Sequence, residues 1–165
     1  MLIRSLLPRK IHSWRCFSSS ALHVLKPGDI LRQTRTFTNE DVLEYSKVSQ
    51  DSNPLHFDSE SARSAGFEDR LVHGMLVASL FPRVISSHFP GAVYVSQSLS
   101  FKFPVYVGDQ IIGEVQATNL REKKGRYLAK FKTRCIKNGG FLVLEGEAVA
   151  ILPTLAVEQA HSVEQ

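Results

Sequence analysis

The chain has 165 residues, of which 20 are basic and 16 acidic, so its formal net charge is +4. This length is sufficient for one domain with a sizeable core. The first 20 residues contain four basic side chains and no acidic one, which leaves 16 basic and 16 acidic residues in the remainder. A neutral body argues against nucleic acid as a partner, and no apolar run approaches the roughly 20 residues that a membrane span needs.

Residues 1–24 have the composition of a mitochondrial transit peptide. They contain Arg and Ser, they lack acidic side chains, and charges interrupt their apolar runs every few positions. A disordered basic tail is the alternative interpretation. The C-terminus carries no peroxisomal tripeptide. Cys16 lies in the leader and Cys135 alone cannot form an internal disulfide, so we expect a reducing compartment, the mitochondrial matrix.

The first ordered elements are predicted to be a strand over residues 30–37 and a helix that follows it. Thr38 is the expected N-cap of this helix, and Asp41, three residues later, completes a capping-box pattern. Pro54 should end the helix near residue 50, because proline removes a backbone donor and restricts the residue before it. The positions expected to face the core are Val42, Tyr45, and Val48 or Ser49.

Two further helices are predicted before residue 90. Asp58 and Gly66 have the character of N-cap and C-cap for a short second helix. The third should run over residues 74–89 and is apolar on nearly all sides, which is typical of a helix inside a fold. Pro82 should kink it by removing the hydrogen bond to Ala78.

The second half of the chain has the pattern of a meandering sheet. Four stretches rich in Val, Ile, Phe and Tyr are separated by turn signals such as Asn138-Gly139. This order predicts an α+β domain over residues 25–153, in which an antiparallel sheet closes over the apolar helix. Residues 154–165 are interpreted as a polar tail. The predicted strands are 93–103, 110–120, 126–136 and 141–152.

Asp51 and His56 are the first candidates for chemistry. On one helix they would diverge by about 140°, but a turn at Asn53-Pro54 can bring the imidazole back toward the carboxylate. An acid and a base in contact are suited to proton transfer. The alternative, which spacing alone leaves open, is a hydrogen-bonded turn with a structural histidine.

Gly74 is the third candidate, at the start of the apolar helix. Its N–H has no partner within the helix, and the missing side chain lets a ligand carbonyl approach closely. A donor to that carbonyl would acidify the neighbouring carbon atom. The alternative is a glycine required only for packing. The preceding His73 is expected to pack or hydrogen-bond rather than to act as a catalyst.

Three rival chemistries are disfavoured. An iron site of His56, Asp58 and either His73 or His88 would place its last ligand in a buried helix rather than on a later strand. A serine hydrolase is disfavoured because the sequence contains no G-x-S-x-G motif. A dinucleotide cofactor is not supported because no glycine-rich phosphate loop follows a predicted strand. We therefore expect no metal and no cofactor. The basic turn at residues 123–126 is interpreted as a solvated surface, or as a place for an acidic carrier or phosphate-bearing ligand.

Three blocks of sequence together resemble the MaoC-like family of hydratases and dehydratases. The first, at residues 45–56, ends in D-x-N-P-L-H, the second is L-V-H-G-M-L at residues 71–76, and the third extends from residue 96 to residue 109. The resemblance covers about residues 25–153. The chain departs from the family at Gln50, where many members have Gly, and at Pro82 in the central helix.

The resemblance implies a hot-dog fold, an antiparallel sheet wrapped around a long central helix, assembled as a homodimer. It also implies reversible dehydration of (3R)-3-hydroxyacyl thioesters to trans-2-enoyl thioesters without a cofactor. Asp51 and His56 match the family's catalytic pair, Gly74 matches its oxyanion-binding amide, and Asn53 matches a residue that supports the loop.

The leader directs this resemblance toward the mitochondrial 3-hydroxyacyl-thioester dehydratases of the family. The expected substrate is then linked to acyl carrier protein in type II fatty acid synthesis. The alternatives are an (R)-specific enoyl-CoA hydratase and a non-catalytic acyl-thioester-binding hot-dog protein. A non-catalytic binding protein would not need both Asp51 and His56. A hot-dog thioesterase would not need the complete D-x-N-P-L-H block.

Overall fold

The computed structural model describes residues 23–158. Nearly all of the predicted transit peptide and residues 159–165 of the predicted tail lie outside this range. No helix within the described part of the chain is long and apolar enough to cross a membrane.

In the described part of the chain, five antiparallel strands form a single sheet. The strands are β1 (Ile30–Thr36), β2 (Val93–Phe101), β3 (Gln110–Lys123), β4 (Arg126–Lys137) and β5 (Phe141–Leu152). Their order across the sheet is β1-β3-β4-β5-β2, so β1 and β2 form its edges. The predicted antiparallel sheet is confirmed. The limits of β5 are those predicted, and the other four strands differ from prediction by one to three residues at one end.

Within residues 23–158, four helices and a short 3₁₀ turn at Pro54–His56 accompany the sheet. The helices are α1 (Asn39–Ser49), α2 (Ser59–Ser64), α3 (Gly74–Ala78) and α4 (Leu80–His88). Thr38 and Asp58 are the N-caps of α1 and α2, as predicted. The prediction that Val48 or Ser49 faces the core is wrong, since Val48 is 85% exposed and Ser49 is also exposed. The last turn of α1 lies beyond the edge of the core and is followed by an exposed loop.

The central helix is two consecutive segments, α3 and α4, rather than one helix over residues 74–89. Pro82 lacks the N–H that would bond to Ala78, and its ring excludes that carbonyl from regular helical geometry. The break accordingly falls at Ser79, one residue past Ala78. The Ser79 N–H is shared between the carbonyls of Met75 and Leu76. The predicted interruption is present, three residues before the proline.

The two segments lie inside the sheet and form the core with it. α4 packs against β3 and β1. Gly113 of β3 permits a close approach, because a Cβ added there would lie 3.1 Å from the Cβ of Leu80. The largest side chains buried in this core include Phe37, Phe81, Phe89 and Phe131.

Both ends of the described chain lie side by side. Leu25 is buried, and its N–H donates to the carbonyl of Leu155 at 2.8 Å, while the Val157 N–H donates to His23 at 2.8 Å. Ordered packing therefore continues through residues 154–158, at the start of the predicted polar tail.

Candidate active site

The loop that carries Asp51 begins at a well-fixed helix. The Thr38 side chain accepts from the Asp41 N–H at 3.2 Å, and the Asp41 carboxylate accepts from the Thr38 N–H at 2.9 Å, which is the predicted capping box. The Arg35 guanidinium also bonds to Asp41. Hydrogen bonds from Thr38 and Arg35 lower the pKa of Asp41 against the opposing effect of burial.

Gln50 turns the chain sharply at the end of α1. Its φ of 59° lies in the left-handed region, which glycine adopts without steric cost. This explains why glycine is suited to the position at which Gln50 departs from the family pattern. The Gln50 side chain donates to the Lys47 carbonyl at 2.7 Å. The turn delivers Asp51 to the start of the loop.

The loop from Asp51 to His56 is organised by short hydrogen bonds to side chains. The Asp51 Oδ1 accepts from the Asn53 N–H at 3.2 Å, and the Asn53 Oδ1 accepts from the Leu55 N–H at 3.1 Å. Asn53 thereby caps the 3₁₀ turn that begins at Pro54. This hydrogen bond is consistent with the predicted supporting role of Asn53, and the turn returns His56 toward Asp51.

The Asp51 carboxylate and the His56 imidazole face each other across a short gap. The Asp51 Oδ2 and the His56 Nε2 are 3.8 Å apart. This distance is too long for a direct hydrogen bond, but one oxygen atom can lie about 2.8 Å from both. The Asp51 side chain is 51% exposed and the His56 side chain only 11%. The pair is therefore open to solvent on the Asp51 side.

The tautomer of His56 follows from its other ring nitrogen. The His56 Nδ1 is 2.8 Å from the carbonyl oxygen of Leu71. A carbonyl can only accept, so the Nδ1 carries the hydrogen. In the neutral ring the Nε2 lone pair then points toward the gap shared with Asp51. The Leu71 segment is itself fixed, because its N–H donates back to the Leu55 carbonyl at 2.9 Å.

Gly74 lies beside this pair at the start of α3. Two adjoining clefts of about 340 Å³ each share Gly74 and Phe101; one is lined by His56 and the other by Asp51. A Cβ at Gly74 would lie 2.6 Å from the Cε1 of Phe101. Gly74 does not have the positive φ that would require glycine. Glycine is therefore suited to this position because it has no side chain to fill the space between its backbone and the Phe101 ring.

His73 has contacts that its place in the sequence did not reveal. It is 2% exposed, its Nε2 is 3.0 Å from the Asp51 backbone oxygen, and its ring stacks on that of His56 with centroids 3.7 Å apart. Burial lowers the pKa of His73. The prediction that His73 packs and hydrogen-bonds is consistent with these contacts, although the partners could not be foreseen.

A metal site does not fit these residues. Asp51, His56 and His73 are the only three potential ligands that cluster within residues 23–158. However, the two rings are inclined by only 25° and stacked, and each directs its lone pair within its own plane. One possible ligand atom from each residue lies within 4.8 Å of the others, but the His56 Nδ1 and the His73 Nε2 already bond to backbone carbonyls, and the His73 Nδ1 is buried. The rival acid Asp58 instead accepts from the Ser61 N–H at 2.7 Å as the cap of α2.

The basic turn at residues 123–126 lies away from the site. The turn is tight, with positive φ at Lys124 and Gly125. From it, β4 extends 12 residues to Lys137, whose Nζ lies 3.5 Å from the Pro104 carbonyl beside the cleft that His56 lines. At about 3.3 Å per residue the turn is roughly 35 Å from that end of the strand.

Comparison with known proteins identifies the family of the chain. The model of the MaoC-like domain family matches residues 26–137. The chain belongs to this family. It is 60% identical to the mitochondrial 3-hydroxyacyl-[acyl-carrier-protein] dehydratase of Arabidopsis thaliana over 96% of this chain and 97% of that protein.

Two other relatives extend the comparison to a second activity and to solved structures. The chain is 44% identical to the (R)-specific enoyl-CoA hydratase of Aeromonas caviae, over 78% of this chain and 96% of that protein. The solved structure of the (R)-hydratase from A. caviae superimposes with a TM-score of 0.72 at 42% identity, covering 82% of this chain and all of that chain. The MaoC-like hot-dog fold expected from the sequence is thus confirmed.

Proposed function

We propose that this protein is a hydro-lyase that interconverts (3R)-3-hydroxyacyl and trans-2-enoyl thioesters. The observation that carries the proposal is the gap of 3.8 Å between Asp51 and His56, in clefts that both reach Gly74. The identity to dehydratases and hydratases of the same family supports it. A non-catalytic thioester-binding protein would have no use for this paired acid and base.

The reaction removes a proton from C2 and expels the 3-hydroxyl group as water. The Gly74 N–H donates to the thioester oxygen, so the negative charge that develops at C2 is stabilised on an oxygen with a fixed donor. The hydroxyl oxygen occupies the gap between Asp51 and His56, within hydrogen-bond distance of both. The Asp51–His56 pair donates a proton to the departing hydroxyl group and accepts the proton from C2, so its own protonation state is restored.

The fixed tautomer assigns the atom of His56 that exchanges the proton. Because its Nδ1–H donates to Leu71, the Nε2 is the only ring nitrogen free to act at the substrate. The Asp51 carboxylate accepts the hydrogen of the hydroxyl group and orients its oxygen. In the hydration direction the same two groups hold and deprotonate a water molecule. The two groups act as one coupled unit.

Acyl carrier protein is the proposed carrier, and the mitochondrial matrix the proposed compartment. The relative with 60% identity is named as a mitochondrial dehydratase of acyl-carrier-protein substrates. The acid-free basic leader is consistent with mitochondrial import. We place the reaction in type II fatty acid synthesis on these two grounds.

A homodimer is the proposed assembly. β2 is an edge strand, and Val93 and Val95 near its start are each at least 50% exposed. An exposed apolar edge strand favours pairing with another chain. Antiparallel pairing of β2 with its copy would cover these residues. Sedimentation should give twice the chain mass, and Val95→Lys should shift it toward the monomer.

The proposal is tested with the purified chain and a crotonyl thioester, by following loss of the enoyl absorbance. We expect Asp51→Asn and His56→Ala each to lower kcat by on the order of 100- to 10,000-fold. Asp51 is half exposed, and Asn retains an oxygen for the Asn53 N–H, so the urea midpoint of Asp51→Asn should match the wild type. Glu60→Gln, an equal change of charge on exposed α2, should retain full activity.

The alternative is an (R)-specific enoyl-CoA hydratase, favoured by the relative with 44% identity. The catalytic residues would be the same, so only the carrier separates the two functions. Comparison of kcat/KM for crotonyl-CoA and crotonyl-acyl carrier protein decides between them. A higher kcat/KM for the CoA thioester would favour the alternative, and full turnover by both Asp51→Asn and His56→Ala would exclude the mechanism.

A further inference from the structure

His73 contacts each part of the candidate site; it is among the residues that line the cleft beside Asp51, but it is only 2% exposed. The residue occupies the N-cap position of α3, without a capping hydrogen bond from its side chain, and is joined to Gly74 by its peptide bond. Its ring contacts the loop that carries Asp51 and His56. We propose that His73 is a positioning residue, a buried ring that fixes the relative positions of the carboxylate, the imidazole and the oxyanion-binding amide. This inference rests on the proposed hydro-lyase function.

The first contact fixes the backbone of Asp51. The His73 Nε2 lies 3.0 Å from the Asp51 carbonyl oxygen, and since a carbonyl only accepts, the Nε2 carries the hydrogen. The other hydrogen bonds of Asp51, with Ser49 and Asn53, are local to the loop. The bond from His73 spans 22 residues and ties the exposed carboxylate to α3.

The second contact fixes the plane of His56. The two imidazole rings are stacked, with centroids 3.7 Å apart and an interplanar angle of 25°. The His56 Nδ1 bond to Leu71 sets the direction in which the ring points, and the stack prevents rotation about that bond. Together they aim the His56 Nε2 at the gap beside Asp51. A displacement of about 1 Å in such a geometry can cost 100-fold in rate.

The position of the ring requires that it remain uncharged. With its Nε2–H used by Asp51, a second proton would reside on the His73 Nδ1, which is buried and has no hydrogen-bond partner among residues 23–158. A charged ring would also repel the His56 cation formed when a proton is transferred. The titratable groups that face His73 are Tyr45, Asp51 and His56. Burial lowers the pKa of His73, in agreement with the geometry.

The test separates the two contacts with the full-length protein. His73→Phe retains an aromatic ring for the stack but has no donor for Asp51, whereas His73→Gln retains an N–H donor but has no ring. We expect His73→Phe to lower kcat for the crotonyl thioester on the order of 100-fold, with KM changed by less than about threefold. His73→Gln should recover part of this loss. The pH profile of kcat/KM should also change in His73→Phe, because the Asp51 carboxylate and the His56 imidazole are no longer held together as a pair.

A matched control and a double variant exclude a merely structural role. Val84→Ala also removes buried contacts in the central helix, but it is remote from the pair and should leave the pH profile unchanged. In an Asp51→Asn background, His73→Phe should cost little further activity, because both changes disable the same unit. Losses that multiply, or an unchanged kcat and pH profile in His73→Phe and His73→Gln, would overturn the inference. Should His73→Phe fail to fold, His73→Gln in both backgrounds decides the question. An inactive wild-type protein would refute the proposed function instead.

Discussion

Substitution of Gly74 by Ala tests whether the space beside the Gly74 backbone is needed by the substrate or only by the Phe101 ring. The backbone at Gly74 lies outside the positive-φ region, so alanine can adopt it. Alanine is favoured over glycine in a helix by up to about 1 kcal/mol. Against this, the new Cβ would lie 2.6 Å from the Cε1 of Phe101, and overpacking costs roughly 1–3 kcal/mol.

The steric cost should fall at the lower end of that range. Phe101 is 55% exposed, so its ring can move away without opening a cavity in the core. The free energy of unfolding of Gly74→Ala should therefore remain within about 1 kcal/mol of the wild type. The thioester oxygen, in contrast, can no longer approach the N–H closely. Loss of one such donor lowers kcat on the order of 100- to 1,000-fold.

The assay is a double-mutant cycle of Gly74→Ala and Phe101→Ala, with kcat/KM for the crotonyl thioester and urea unfolding measured for each variant. If the substrate needs the space, Gly74→Ala should reduce activity by the same factor whether or not Phe101 is present. If the glycine only accommodates the aromatic ring, Phe101→Ala should restore activity to Gly74→Ala. That restoration would refute the reasoning that the substrate needs the space beside the Gly74 backbone.

Three further predictions concern stability and reactivity. Thr38→Ala removes the capping box of α1 and should lower the free energy of unfolding by about 1 kcal/mol, seen as a lower urea midpoint. Burial raises the pKa of Cys135 to about 12, so a thiol reagent should modify it only as fast as the protein unfolds. The pKa of His73 is lowered in the folded protein, so as pH falls below about 6.5 the unfolded chain binds a proton at this residue before the folded protein does. The part of the stability that His73 contributes is complete above that pH and is lost below it, and His73→Gln should reduce this slope in urea titrations.

Local signals account for the parts of the fold that were predicted correctly. The capping pattern at Thr38 fixes the start of α1 because both of its hydrogen bonds lie within four residues. Alternating apolar residues and glycine turns likewise determine the strands of β2–β5 to within a few residues. The approach of His56 to Asp51 was accessible for the same reason, since Asn53 and Pro54 leave few ways to connect them.

Long-range contacts account for what the sequence did not reveal. Nothing near His73 indicates that its ring stacks on His56, 17 positions earlier, because the contact arises only when α3 docks against the loop. The contact of Phe101 with Gly74 is likewise made between separate elements. The exposure of Val48 was missed because helical periodicity predicts which face is apolar but not how far the core extends along it.

The site combines a rigid imidazole with a more exposed carboxylate, and the anchoring of each explains the difference. His56 is fixed at its Nδ1 by Leu71 and across its face by His73, and it is almost buried. Asp51 is held through its backbone carbonyl and through one carboxylate oxygen, so the other oxygen is free at a half-exposed surface. A group that exchanges a proton with a carbon atom benefits from a fixed orientation, whereas a group that binds and releases water benefits from exposure to solvent. The asymmetry therefore supports His56 as the group that exchanges the C2 proton, and Asp51 as the group that holds the oxygen.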